Sequence, residues 1–221
     1  GEKALYVFER MQHEGLCPDA VTFVYILKAC GNIGAVIKGK EIHTEMVSEG
    51  FVENDCLFGN VLVDMYAKCG ELAKAKKIFH ELPVRDVVSW NVLIAGYAQD
   101  NQGHEVLKCF ERMQTEGHFP DPVTFICVLK ACGKTEAIDE GHGMHMHITY
   151  KGFEKDFFLG KSIVSMYVKC GALSDAWGVF IKLPVQDVVS WTSLLVGYTD
   201  DGPSEEAFNC FKEMQMQGIL P

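Results

Sequence analysis

Several signatures are missing from this 221-residue sequence, and each absence excludes a class of function. Its nine cysteines include no Cys-x-x-Cys, and an odd count argues against a disulfide framework. No apolar run approaches the ~18 residues that cross a bilayer, so no membrane protein is expected. There is no HExxH, no glycine-rich phosphate loop and no nucleophile–base arrangement. The segment is therefore expected to be no enzyme and to need no cofactor, metal or small-molecule substrate. Basic residues are also scarce: 20 against 30 acids, a net charge of −10, the wrong sign for attracting nucleic acid on its face. No initiating Met, signal peptide or transit peptide opens the chain at Gly1, and it stops abruptly at Pro221. An interior fragment is the expectation.

What the chain has is repetition. Asp86-Val87-Val88-Ser89-Trp90 returns as Asp187-Val188-Val189-Ser190-Trp191, and Met65-Tyr66-Ala67-Lys68-Cys69-Gly70 as Met166-Tyr167-Val168-Lys169-Cys170-Gly171. Phe8-Glu9-Arg10-Met11-Gln12 returns as Phe110-Glu111-Arg112-Met113-Gln114, giving an offset of 101 or 102 residues. A period this long hides shorter units, which must stack to bury a hydrophobic face. A stack offers one extended surface for binding. Aspartates punctuate the chain at 19, 55, 86, 121, 156 and 187, with successive gaps of 36, 31, 35, 35 and 31 residues. The extra residue in the first gap falls between Phe51 and Asp55, where lengthening a loop costs little.

Each unit reads as two helices. Leu93, Ile94 and Tyr97 mark one; after Asp100, Asn101 and Gly103, Val106, Phe110 and Met113 mark the next at helical spacing. Ala4, Phe8, Met11 and Ala207, Phe211, Met214 repeat that triplet, and Gly117 and Pro120 end the helix. Trp90 and Trp191 are expected in the core. The cysteine pairs Cys30/Cys132, Cys69/Cys170 and Cys109/Cys210 follow the period, as small core residues in a reducing compartment would. His142, His145 and His147 form the one metal-like cluster. However, His145 aligns with His43, where no cluster exists, so no metal site is expected.

The unit lengths, with Val-Val-Ser-Trp-Asn at 87–91, Met-Tyr-Ala-Lys-Cys-Gly at 65–70 and Glu-Gly-x-x-Pro-Asp at 116–121, resemble pentatricopeptide repeat proteins. The cycle of unit lengths resembles their PLS subclass in plants. The resemblance implies an all-α fold, a right-handed superhelical solenoid of helix-turn-helix repeats. It cuts the chain into a second helix at 1–19, long units at 20–55 and 122–156, short units at 56–86 and 157–187, and standard units at 87–121 and 188–221. The tetratricopeptide repeat, a protein-binding scaffold of 34-residue hairpins, shares Trp90, Leu93, Tyr97 and Phe110. Its constant unit length and small residue at the place of Val106 do not match. The implied partner is single-stranded organellar RNA, with editing cofactor proteins beside it, in a mitochondrion or chloroplast. The implied process is C-to-U editing, with RNA processing or stability as the alternative. The HxE-plus-CxxC deaminase signature that commonly follows such arrays is not completed within residues 1–221.

By the same resemblance, the fifth and last residues of a unit read one base. Asn60 with Asp86, and Asn91 with Asp121, match the combination favouring uracil, with cytosine tolerated. The chemistry fits, since an amide donates and accepts while a carboxylate only accepts. Thr192 would pair with the residue after the chain. Val24 with Asp55 and Ile126 with Asp156 leave base identity poorly specified, and Lys161 with Asp187 departs from the pattern. A long cation suits phosphate better than a base edge. Asp19 closes the unit before the first complete one. The second residues Val21, Leu57, Val88, Val123, Phe158 and Val189 are implied to wedge between bases. Lys68, Lys134 and Lys169, at the thirteenth place, are implied to approach phosphate. Plainer roles compete: an aspartate before a helix is an N-cap worth ~1 kcal/mol, the second residues suit hairpin packing, and the lysines suit mere solvation. Setting aside the six boundary aspartates leaves a net charge of −4, so the other acids can lie away from the groove.

Overall fold

The computed structural model describes residues 1–51, 56–153, 155–200 and 202–219. Among them the chain forms thirteen α-helices and no strand, an all-α helical repeat array. It divides into two compact units, residues 1–119 and 120–221. The first holds α1 (Glu2–His13), α2 (Ala20–Ile33), α3 (Val36–Ser48), α4 (Cys56–Lys68), α5 (Leu72–Glu81), α6 (Val87–Gln99) and α7 (Gly103–Thr115). The second holds α8 (Pro122–Thr135), α9 (Ile138–Tyr150), α10 (Phe157–Lys169), α11 (Leu173–Phe180), α12 (Val188–Asp200) and α13 (Ser204–Met216). One helix pair falls within each complete span read from the sequence. The extra loop residue placed between Phe51 and Asp55 lies outside the described residues.

Two kinds of helix alternate because their sequences bury different fractions of their surface. In the first unit α2 packs on α4 and α4 on α6, while α3 sits against α2 and α4, and α5 against α4 and α6. In the second, α8, α10 and α12 pack in series, with α9 and α11 lodged against them in the same way. Helices opening a hairpin are thus covered on several sides and are apolar nearly all round. Along α6, Trp90, Leu93, Ile94, Tyr97 and Ala98 are all buried. Closing helices bury a single stripe; α7 buries Val106, Cys109, Phe110 and Met113, spaced at three and four residues. Cys30, Cys109, Cys132 and Cys210 are buried, and all nine thiols are free. Burial pushes Cys132 up to about 12, which keeps it protonated and inert as a core residue should be.

Glycine sets the spacing of the opening helices. A Cβ on Gly31 would stand 3.1 Å from Met65 Cα, and one on Gly96 would stand 2.7 Å from Ala67 Cβ. In the second unit Gly133 approaches Met166 Cα (3.3 Å) and Gly197 approaches Val168 (2.7 Å) in the same way. Backbone therefore meets its neighbour closely at every opening-helix interface within each unit. The closing helices stand apart and are joined by ion pairs: Lys38–Glu9 at 3.2 Å, Lys40–Glu71 at 2.6 Å and Lys76–Glu105 at 3.5 Å. Such exposed pairs contribute ~0–1 kcal/mol each. They also place much of the acid in the closing-helix layer. The turn between α2 and α3 uses Gly34 at φ 70°, whereas its counterpart between α8 and α9 is Glu136 at φ 54°, a left-handed conformation that a side chain disfavours.

Candidate nucleic-acid interface

Every described boundary aspartate is a helix N-cap. Asp19 accepts from the Thr22 amide at 2.8 Å, Asp86 from Ser89 at 2.8 Å, Asp121 from Thr124 at 2.8 Å, Asp156 from Leu159 at 2.9 Å and Asp187 from Ser190 at 2.9 Å. Asp86 and Asp121 close full capping boxes with Ser89 and Thr124. In each case Oδ1 accepts the bond that holds the helix start. Asp55 lies outside the described residues.

These caps carry a pH signature. The Thr22 hydroxyl and amide hold the Asp19 carboxyl below its usual range. At Asp86 burial pushes upward, but hydrogen bonds from the Ser89 amide and hydroxyl and from Asn60 outweigh it. Lys161 leads the lowering at Asp187. A folded value below the unfolded one stabilises above the unfolded pKa, near ~3.9, and is lost as pH falls through the folded value. The contribution of these caps to the melting temperature is therefore expected to be level from about pH 7 to 5 and to be lost below about pH 4. Asp19→Asn keeps a capping side chain and should flatten part of that fall in a thermal melt series.

The fifth residues converge on these caps. The Asn60 side chain hydrogen-bonds the Asp86 carboxylate, and Lys161 Nζ donates to Asp187 Oδ2 at 2.8 Å. In these two short units the fifth and last side chains are therefore in direct contact. Asn60 is 8% exposed, and its Oδ1 has no hydrogen-bond partner among the described residues. Asn91 is equally buried, Val24 is buried, Ile126 half-buried, and Thr192 exposed with its hydroxyl donating to Val188 O at 2.7 Å.

The second residues are not packed inside their hairpins. They range from 54% exposed at Val123 to 68% at Phe158, with Val21, Leu57, Val88 and Val189 between. Scattered apolar residues on a surface are ordinary. Here the same register is exposed in six successive opening helices, which makes a row of three in each unit. By contrast, Trp90 and Trp191 are 0% and 1% exposed, core residues as expected.

The lysines differ. Lys68 is held by Asp64 at 2.7 Å. Lys161 is engaged with Asp187 and lies over the Phe157 ring at 4.9 Å, an arrangement at odds with a free phosphate contact. Lys134 is exposed in the last turn of α8. Lys169 is exposed, with no carboxylate at ion-pair distance among the described residues. Between α8, α10 and α12 runs a groove of about 390 Å³, bordered by Ile126, Lys130, Phe158, Lys161, Lys169 and Val189. Four of these six were singled out in the sequence as second, fifth or thirteenth residues, and Ile126 was named as a weak fifth residue. Lys130 was missed, although its recurrence as Lys28 carried the periodic signal.

The histidines serve packing. His43 Nδ1 and Tyr66 Oη lie 2.9 Å apart, and His145 Nδ1 and Tyr167 Oη repeat that spacing. His142 Nε2 is 3.9 Å from Asp175, and His147 packs edge-on against Phe125. Among the described residues no three His, Cys, Asp or Glu groups are gathered for a metal ion.

Hairpins of two short helices, stacked through their opening helices and displaying one apolar row, define a class of helical-repeat protein. Family models for the PPR repeat match residues 21–51, 60–87 and 189–219, one for the PPR repeat family matches 85–134, and one for the pentatricopeptide repeat domain matches 1–33. The chain belongs to the pentatricopeptide repeat family. A pentatricopeptide repeat-containing protein of Arabidopsis thaliana is 38% identical over 219 residues, which is 99% of this chain and 30% of that protein. Another from the same plant, named as chloroplastic, is 35% identical over 219 residues, 99% of this chain and 35% of its own length. One named as mitochondrial is 36% identical over 221 residues, 99% of this chain and 21% of its own length. The chain thus spans about a third or less of these relatives. Among solved structures, pentatricopeptide repeat protein PPR10 in complex with an 18-nt psaJ RNA element matches with TM-score 0.81 at 18% identity. That match covers 100% of this chain and 33% of PPR10. PPR10 from maize in a second structure gives 0.70 at 20%, over 100% and 32%. At these identities the fold is what is shared.

Proposed function

We propose that this chain is part of a modular array that binds single-stranded RNA in sequence, one base per unit, and that it selects target sites for C-to-U editing of organellar transcripts. The observation that carries the reading is the fifth-and-last pairing of Asn60 with Asp86, flanked by the exposed Leu57 and Val88. An amide and a carboxylate side by side match a base edge that offers a ring N–H beside a carbonyl, as uracil does. The cap lets one aspartate serve both fold and recognition: Asp86 Oδ1 anchors the helix while the carboxylate also engages the fifth residue, Asn60. Asn91 with Asp121 repeats the combination, and the division into long, short and standard units supports the PLS assignment. Relatives named as chloroplastic and mitochondrial support an organellar location. PPR10, whose fold this chain shares, was crystallised with RNA, which supports the choice of ligand.

The test is a single exchange. Asn60→Thr should move the preference at one RNA position from uracil to guanine, by about 1–3 kcal/mol of discrimination, in a binding assay that scans every position. In the full-length protein, editing lost through Asn60→Thr should return when the transcript carries the matching uracil-to-guanine change. Equal weakening on every RNA would make Asn60 a structural residue and sink the code. Rescue of RNA abundance without any edited cytidine would favour a stability or processing role instead.

A further inference from the structure

The two short units can be compared position by position, since residues 57, 60, 64 and 68 of one correspond to 158, 161, 165 and 169 of the other. Three differences all point one way. Leu57 becomes Phe158, a broader platform that is 68% exposed. Asn60 becomes Lys161, whose ammonium is fastened to Asp187 at 2.8 Å. Asp64, which neutralises Lys68 at 2.7 Å, becomes Ser165, and Lys169 has no carboxylate partner among the described residues. Lys130 joins Lys161 and Lys169 along the same groove of about 390 Å³. In an acidic chain this is a local concentration of cationic groups beside an exposed aromatic ring.

Resting on the RNA-binding reading above, we infer that the 157–187 unit is a sequence-neutral anchor for the strand. Phe158 receives a base by stacking, and Lys169 with Lys130 receives phosphate. Stacking tolerates every base because each has a π-face. The Lys161–Asp187 pair presents ammonium N–H groups, and every base carries an acceptor on its Watson–Crick edge: N1 of adenine, N3 of cytosine, O6 of guanine, O4 of uracil. Asn60 in the 56–86 unit has the donor-and-acceptor pattern that discriminates. One short unit therefore holds the strand and the other reads it.

The experiment uses the full chain and labelled single-stranded RNAs varied one position at a time, with salt titrations. At the nucleotide opposite 157–187, changing the base should alter Kd less than about twofold, while Lys161→Asn should create a uracil preference at that position alone. Lys169→Met should reduce the slope of log K against log salt by ~0.7 on every RNA, the value for one lost phosphate contact to a single strand. Lys68→Met should leave that slope unchanged. Both lysines are exposed, so circular dichroism should report the same fold in each variant. Discrimination of about fivefold or more at the 157–187 position in the parent chain, or equal slope changes in the two methionine variants, would overturn the anchor assignment. Binding to no RNA at all would overturn the RNA reading of the whole chain, a separate failure.

Discussion

Trp90→Ala is expected to destabilise the 1–119 unit by about 3–5 kcal/mol, the range for truncating a fully buried large aromatic. Trp90 is 0% exposed and lies 4.7 Å from the Phe79 ring, 6.4 Å from His118 and 5.7 Å beneath the Arg112 guanidinium. It therefore joins α5, α6 and the end of α7, and no single neighbour can collapse into its space. A domain's whole stability is only ~5–15 kcal/mol, so much of the unit's margin is at stake. Its indole Nε1 has no hydrogen-bond partner among the described residues, and a buried donor in that state works against the fold. Trp90→Phe should consequently cost far less than alanine. Hydrogen exchange resolved by helix would report the difference, with protection falling first in α5, α6 and α7. A loss under about 1 kcal/mol for the alanine variant would show that the hairpin repacks and that Trp90 is not its keystone.

The second large effect comes from glycine. Gly96→Leu replaces a poor helix former with a good one and should gain ~1 kcal/mol by propensity alone. Packing reverses that sign. The new side chain would begin 2.7 Å from Ala67 Cβ, and α4 cannot yield without backbone movement. Overpacking of this kind costs about 1–3 kcal/mol and sometimes more, so the expected outcome is a lower Tm. Because α4 and α6 carry Asn60 and Asn91, separating them should also weaken the proposed RNA binding on every sequence alike. The control is Gly143→Ala in α9, where an added Cβ meets nothing within 4 Å and the propensity gain of ~1 kcal/mol should appear in full. If both variants melted alike, close approach at Gly96 would not govern the stack.

Much of this was legible in the sequence because the repeat exposes each pattern more than once. Val106, Phe110 and Met113, spaced for one helix face, are buried at 0%, 4% and 0%. The same triplet is less buried in α1 and α13: Phe8 and Met214 are covered, Ala4 is exposed, and Met11, Ala207 and Phe211 are half-buried. Those helices each pack on a single neighbour, α2 or α12, and spacing alone cannot report how many neighbours a helix has. The boundary aspartates were legible as caps, because capping depends on the next three residues. The cationic groove was not. Lys161 meets Asp187 across 26 positions through hairpin geometry, whereas Asp64 and Lys68 stand four apart on α4, a spacing that sequence could have flagged. The glycines at 31, 96, 133 and 197 recur visibly, yet their role appears only when one helix is laid against the next.

The N-cap limits how such an array can evolve. The residue that would contribute half of each letter also starts a helix, and helix starts accept few side chains: aspartate, asparagine, serine, threonine and, less well, glycine. A mutation at such a cap that invents a new base preference with a bulky or aliphatic residue also frays α6, α8 or their equivalents. The alphabet at that position is therefore closed by helix physics before selection on RNA begins. The fifth residue, borne inside an already formed helix, is under no such constraint, and Asn60, Asn91, Lys161 and Thr192 show how widely it varies.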